Sequence, residues 1–246
     1  MLLLVACDVT MTAEDHWDKG IEAFRGEDLE VALDEFNQAI NLDPTVSKYF
    51  ESRAMIPTET GEWLLAVEDL TKALDLSSPD TEAFGRLTWL RSMRYQSLGY
   101  ETKACGAFES SAKDFDTWRT SVDVKTLIQT GQQPMVLLFK GGFTLERLNR
   151  WDELIALMDE IIELQPTHGN ARNQKAWGLN GKGDYEQALK VINEAIEIHP
   201  DRESYYGTRS KTYSGLGLDD KAKTDKELVL QMNPNEWRDP DFIKCN

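Results

Sequence analysis

The 246-residue chain holds three histidines, His16, His168 and His199, three cysteines, Cys7, Cys105 and Cys245, and one run, Gly181-Lys182-Gly183-Asp184, that looks like a piece of a phosphate loop. Metal-assisted hydrolysis would need paired histidines one helical turn apart with an acid between them, but the three histidines form no such motif and have no cysteine or acid at ligand spacing. The glycine run lacks the four-residue gap and the hydroxyl residue of a phosphate loop, and the cysteines are too scattered for a paired-thiol metal site. Neither a nucleophile elbow nor a Gly-rich dinucleotide fingerprint is present. These residues predict no catalytic group, no metal and no cofactor, and His168 and His199 read as polar residues of surface turns. The expected activity is binding, not turnover.

Charge narrows the class of partner. With 43 acidic against 27 basic residues the formal net charge is -16, which opposes the phosphate neutralisation that nucleic-acid binding depends on. Residues 1 to 116 hold 23 acids and 10 bases, and residues 117 to 246 hold 20 and 17, so the acidic field belongs to the N-terminal half. It serves solubility, or attracts a basic partner. Mean hydropathy is -0.49, and no stretch approaches the 18 or more apolar residues of a membrane-spanning helix.

The elements that must position any binding residue are set by a repeat. Gly183 to Pro200 reads GDYEQALKVINEAIEIHP; 34 residues earlier stands NRWDELIALMDEIIELQP, and 34 later GLDDKAKTDKELVLQMNP. Upstream, Gly61 to Pro79 and Glu27 to Pro44 carry the same design. Six copies start near Ala13, Ser47, Gly85, Met135, Gly169 and Glu203. At position 8 of the copies stand Gly20, Ala54, Ser92, Gly142, Ala176 and Ser210, all small; at position 20 stand Ala32, Ala66, Ala104, Leu154, Ala188 and Ala222. Small side chains there let two antiparallel helices approach closely. Gly61, Gly99, Gly183 and Gly217 at position 15 suit a left-handed helix end, Asn149 fills that place in the fourth copy, and Gly26 stands one place early in the first. Leu189, Ile192, Ala195 and Ile196 recur at helical spacing and predict a buried stripe.

On these residues the chain resembles the tetratricopeptide repeat family over about four-fifths of its length. The resemblance implies an all-α fold, a right-handed α-solenoid of about six helix-turn-helix units with a concave groove. It further implies that positions 2, 5, 6, 9, 12 and 13 of each first helix line that groove. Those positions include Trp17, Phe24, Trp89, Met93, Phe139, Phe143 and Trp177, an aromatic lining that either grips a peptide or partner helix or packs between adjacent helices. Lys140 and Asn173 are fragments of the clamp by which chaperone-binding relatives hold a terminal carboxylate. Ala54, Met55 and Trp177 stand where that clamp needs polar residues, which disfavours a chaperone-tail receptor.

The array is irregular in places. Copies two and three are offset by four residues, and 16 extra residues separate copies three and four. The expected organisation is an N-terminal linker at 1–12, repeats one to three at 13–118, an insertion at 119–134, repeats four to six at 135–236 and a cap at 237–246. In the insertion, Val122, Val124, Leu127 and Ile128 precede a GQQP turn signal and predict a short helix and loop, either a plain insertion or a hinge. Pro57 predicts a shortened or kinked helix in copy two. Lys221, Lys223 and Lys226 suit a terminal repeat facing water, with Trp237 and Phe242 expected to fold back as a cap.

At the other end, Leu4-Val5-Ala6-Cys7 resembles the lipobox that closes a bacterial lipoprotein signal, although the stretch before it is too short and lacks the basic start of a complete one. The resemblance implies a lipid-attached Cys7 and a place at a bacterial cell envelope, on a membrane surface; otherwise Leu2 to Val5 pack on the first repeat. The expected function is a non-catalytic scaffold that binds another protein or peptide, one with basic residues or apolar anchors. The alternative is a soluble cytoplasmic adaptor or co-chaperone-like regulator.

Overall fold

The computed structural model describes residues 11–79, 81–124, 126, 134–233 and 245, and their regular structure is helical throughout. The chain divides at Val122 and Asp123 into two compact units. Cys7, Leu127, Ile128, Trp237 and Phe242 lie outside the described residues.

The first unit contains α1 (Ala13–Arg25), α2 (Leu29–Leu42), α3 (Ser47–Arg53), α4 (Met55–Thr60), α5 (Trp63–Asp75), α6 (Glu82–Thr102) and α7 (Cys105–Ser121). Thr12 and Asp15 open α1 with a reciprocal capping box, each side chain holding the other's backbone N–H. The helices pair as hairpins, α1 with α2, α3 with α5 and α6 with α7, and successive hairpins stack through α2 on α3 and α5 on α6. Ala32 and Ala66 at position 20 are fully buried. At position 8, a Cβ added to Gly20 would stand 2.5 Å from the Phe36 ring, so a larger residue would push the pair apart. One core then runs on through Ile40, Phe50, Leu70, Leu74 and Leu87.

Pro57 has the expected effect. It cannot donate to the carbonyl of Arg53, and the first helix of the second hairpin breaks at Ala54 into α3 and α4. The Thr58 hydroxyl donates to the Ala54 carbonyl at 2.8 Å at that break.

The third hairpin departs from the expected pattern. Gly99 does not end its helix: α6 continues to Thr102, and Lys103 makes the left-handed turn at φ 56°. Gly99 is instead a packing glycine, because an added Cβ would lie 2.8 Å from the Phe108 ring. Since α7 starts four residues late, Phe108 occupies the inward site that alanine fills in its neighbours, and Ala104 is an exposed helix cap. The first copy differs too. Gly26 sits at φ -82°, and Glu27 takes the left-handed conformation at φ 63°.

The second unit contains α8 (Pro134–Arg147), α9 (Trp151–Leu164), α10 (Gly169–Lys182), α11 (Tyr185–Ile198), α12 (Glu203–Gly215) and α13 (Asp219–Met232). Hairpins form between α8 and α9, α10 and α11, and α12 and α13, stacked through α9 on α10 and α11 on α12. Leu154 and Ala188 are fully buried and Ala222 nearly so, while Ile192, Ala195 and Tyr205 join the core. Asn149, Gly183 and Gly217 all adopt positive φ at the hairpin turns. The Asn149 side chain also donates to the Cys245 carbonyl at 2.9 Å.

Neighbouring hairpins are also tied by a recurring arginine that the repeat pattern did not reveal. Arg53 binds Asp69 with two bonds of 2.7 and 2.9 Å and reaches back to Asn37 at 2.8 Å. Arg209 does the same with Asp225 and Asn193. Arg91 grips Asp114 and Thr71. Each arginine links its own hairpin to the preceding one.

Candidate functional site

In the second unit, the first helices of three successive hairpins, α8, α10 and α12, enclose a groove of about 390 Å³. Phe139 and Phe143 come from α8, one helical turn apart, and meet edge to face at 5.2 Å between centroids. Phe139 also leans on the His168 ring at 5.5 Å. Trp177 and Asn173 come from α10, again one turn apart, and Ser204 from α12 closes the end. All four of these aromatic and amide side chains are partly exposed, so none is consumed by the core.

The polar floor of this groove is under-satisfied. Gln174 is 3% exposed, and neither end of its amide has a protein hydrogen-bond partner; the Asn173 carbonyl oxygen is likewise enclosed and unpaired. Buried amides without partners are rare and demand an explanation. Gly142 makes room for this one, since a Cβ there would lie 2.7 Å from the Gln174 oxygen. Burial holds the Glu146 carboxyl above its usual range, against the opposing influence of Arg147, Gln174, Lys211 and Trp177. Gln174 is near enough to act on Glu146, although no bond of normal length and angle joins them. Lys211 stands over the Trp177 ring at 3.8 Å.

Four of the residues named from sequence, Phe139, Phe143, Asn173 and Trp177, therefore meet around one space, while Lys140 is exposed and does not line it. Sequence reasoning passed over Glu146, Arg147, Asn170, Gln174 and Ser204, which line it too. Their signal was available: they stand at positions 12, 13, 2, 6 and 2 of their copies, among the positions expected to face a groove. Beyond those positions, polar residue types carry no signal that separates groove from ordinary solvated surface.

The first unit disposes of its candidates differently. Trp17 is used in packing: its indole N–H donates to the Ser52 hydroxyl at 2.8 Å, Lys48 covers its ring at 3.9 Å, and it lies against the core. Met93 is 7% exposed. Trp89 is partly buried with its indole N–H enclosed and unpaired. Phe24 lines a second groove, of about 290 Å³, together with Met55, Leu70, Leu90 and Arg94. Among the described residues, no three His, Cys, Asp or Glu side chains come together as a metal-binding group.

Residues 170–202 match the family model described as tetratricopeptide repeat. A wheat (Triticum aestivum) Hsp70-Hsp90 organizing protein is 23% identical over 217 residues, which is 88% of this chain and 34% of that protein. The chain thus spans about a third of the length of that curated relative. Among solved structures, a tetratricopeptide repeat protein from Parabacteroides merdae superposes with a TM-score of 0.66 at 20% identity, over 89% of this chain and 79% of that one. PilW, a type IV pilus biogenesis factor, gives 0.62 at 16% identity, over 92% and 95%. At these identities the structural likeness speaks for the fold: the chain has the fold of tetratricopeptide repeat proteins, and residues 170–202 match that family's model.

Proposed function

We propose that this chain is a non-catalytic scaffold that holds a segment of another protein in the groove of its second unit. Tetratricopeptide repeat proteins bind other proteins or peptides, and one observation supports this groove as the place for it. Three partly exposed aromatic rings surround a buried amide, that of Gln174, which lacks both its donor and its acceptor partner. A peptide segment supplies what is missing. Its apolar side chain covers Phe139, Phe143 and Trp177, while Gln174 and Asn173, whose unpaired atoms are enclosed in the free protein, turn toward the groove to meet its amides. The expected result for Trp177→Ala is a loss of about 2 kcal/mol in partner affinity, roughly 30-fold in Kd, with the helical circular dichroism unchanged. The partner is obtained by pull-down from native cells and mass spectrometry. Undiminished affinity would place binding elsewhere.

For location, we propose lipid attachment at Cys7 and a place at a bacterial cell envelope, supported by the Leu4–Cys7 lipobox and by the fold shared with a pilus biogenesis factor. Among the described residues, no helix is long and apolar enough to cross a membrane; the proposed attachment is by acyl chains. Mass spectrometry of the mature N-terminus decides it: an acylated Cys7 is expected, and an unprocessed Met1 rejects the anchor. The match to Hsp70-Hsp90 organizing proteins favours a second reading, an adaptor without an anchor. That reading has to contend with Ala54, Met55 and Trp177 standing where a carboxylate clamp needs polar side chains.

A further inference from the structure

The groove of the first unit carries a different chemistry. Four arginines on α3, α6 and α12, Arg53, Arg86, Arg91 and Arg209, each hold a carboxylate with two guanidinium bonds. Each has its pKa raised by the carboxylate it holds. Arg94 is the exception. It lines the groove beside Phe24, Met55, Leu70 and Leu90, its Nε is enclosed without a hydrogen-bond partner, and burial pushes its pKa down. The Trp63 ring lies 5.9 Å from its guanidinium carbon, a weak cation–π contact that leaves the planar donor edge free of any carboxylate bond.

Two carboxylates border the same space. Glu51 is already held in a two-bond pair by Arg86. Glu59 is exposed near the end of α4 and acts on Arg94 only through its field. A guanidinium bonded to no carboxylate, in a space also lined by Phe24, Met55, Leu70 and Leu90, is complementary to a planar anion that brings apolar neighbours with it.

We propose that the first unit's groove binds an acidic side chain of a partner, an aspartate or glutamate flanked by apolar residues, with Arg94 gripping the carboxylate and Phe24, Met55, Leu70 and Leu90 covering the flanks. Glu59 competes for the same guanidinium and weakens the site.

The test titrates the whole chain with three probes and follows the Arg94 Nε–H resonance by NMR: acetyl-Leu-Glu-Leu-amide, acetyl-Leu-Gln-Leu-amide, and acetyl-Leu-Leu with a free terminal carboxylate. The Glu peptide should shift that resonance and bind about tenfold more tightly than the Gln peptide. Arg94→Gln should erase the difference, and Glu59→Gln should strengthen the Glu peptide several-fold. Equal binding of the Glu and Gln peptides, an unmoved Arg94 signal at millimolar peptide, or discrimination that survives Arg94→Gln overturns the proposal. Tighter binding of the free-acid peptide overturns the side-chain assignment in favour of a chain end. The melting temperature of Arg94→Gln supplies an independent readout. It should hold or rise, because a partly buried charge that no carboxylate bonds is removed; a marked fall would leave Arg94 as a structural partner of Trp63.

Discussion

A hairpin turn in this array needs one residue with left-handed backbone angles, and the chain meets that need with unequal success. Gly61, Gly183 and Gly217 adopt it freely, whereas Glu27 at φ 63° and Lys103 at φ 56° hold their Cβ against the following carbonyl. Lys103→Gly should therefore stabilise the protein by about 0.5–1 kcal/mol in urea unfolding, the relief of strain exceeding the added chain entropy. No gain would mean that the lysine is not strained there. A second residue sets a pH dependence. The His168 Nδ1 accepts the N–H of Ala171 at 3.0 Å as the cap of α10, which requires the ring to be neutral there, and burial first of all holds its pKa below the ordinary 6.5. A base whose folded pKa is depressed contributes stability that is complete above its unfolded pKa and is lost as pH falls toward and through the folded value. His168→Asn keeps a cap acceptor that does not titrate in this range. The difference in stability between wild type and variant should therefore move against wild type as pH is lowered through 6.5, and a flat difference would remove His168 from the balance.

Between helices, the arginine links decide how firmly one hairpin sits on the next. Asp225 is 4% exposed and holds Arg209 with two bonds, while Asn193 of the preceding hairpin holds a third nitrogen. Asp225→Ala strands a largely buried guanidinium and should cost about 2–3 kcal/mol in urea unfolding, whereas the double variant with Arg209→Met should recover much of it. Additive losses would show the pair to be uncoupled. These links were hidden in the sequence although their spacing is regular: Arg53 and Arg209 each find an acid 16 residues ahead and an asparagine 16 behind. Apolar periodicity and small residues reveal where helices touch, and from them the hairpins and the break at Pro57 could be read. Polar ties between helices occur at isolated positions, and Arg91, with its acid 23 residues ahead and its hydroxyl partner 20 behind, departs from the spacing the other two share. Gly99 failed as a turn signal for a related reason, since a glycine that admits the Phe108 ring and a glycine that ends a helix are the same letter. The groove of the second unit was half readable: Phe139, Phe143, Asn173 and Trp177 stood out as residue types, but the unsatisfied amide of Gln174 exists only once Gly142 and Met158 are packed beside it.

For the molecule as a whole, short-range contacts and long-range charge make separable contributions to binding. The groove proposed as the binding site would act through aromatic area and amide bonds, which salt hardly weakens, while the net charge of -16, most of it within residues 1 to 116, produces a field that salt screens. A partner with basic residues would be drawn by that field before any groove contact forms, so for such a partner the field should appear in the association rate and the groove in the dissociation rate. Stopped-flow measurement with the captured partner between about 0.05 and 0.5 M salt should show association slowing about tenfold or more as the Debye length shrinks below about 10 Å. Dissociation should change little over the same range. Trp177→Ala should do the reverse, speeding dissociation at every salt concentration while leaving the salt slope of association as it was. Association indifferent to salt would leave the acidic surface with solubility as its only task, and would point to a partner chosen by its apolar anchors alone.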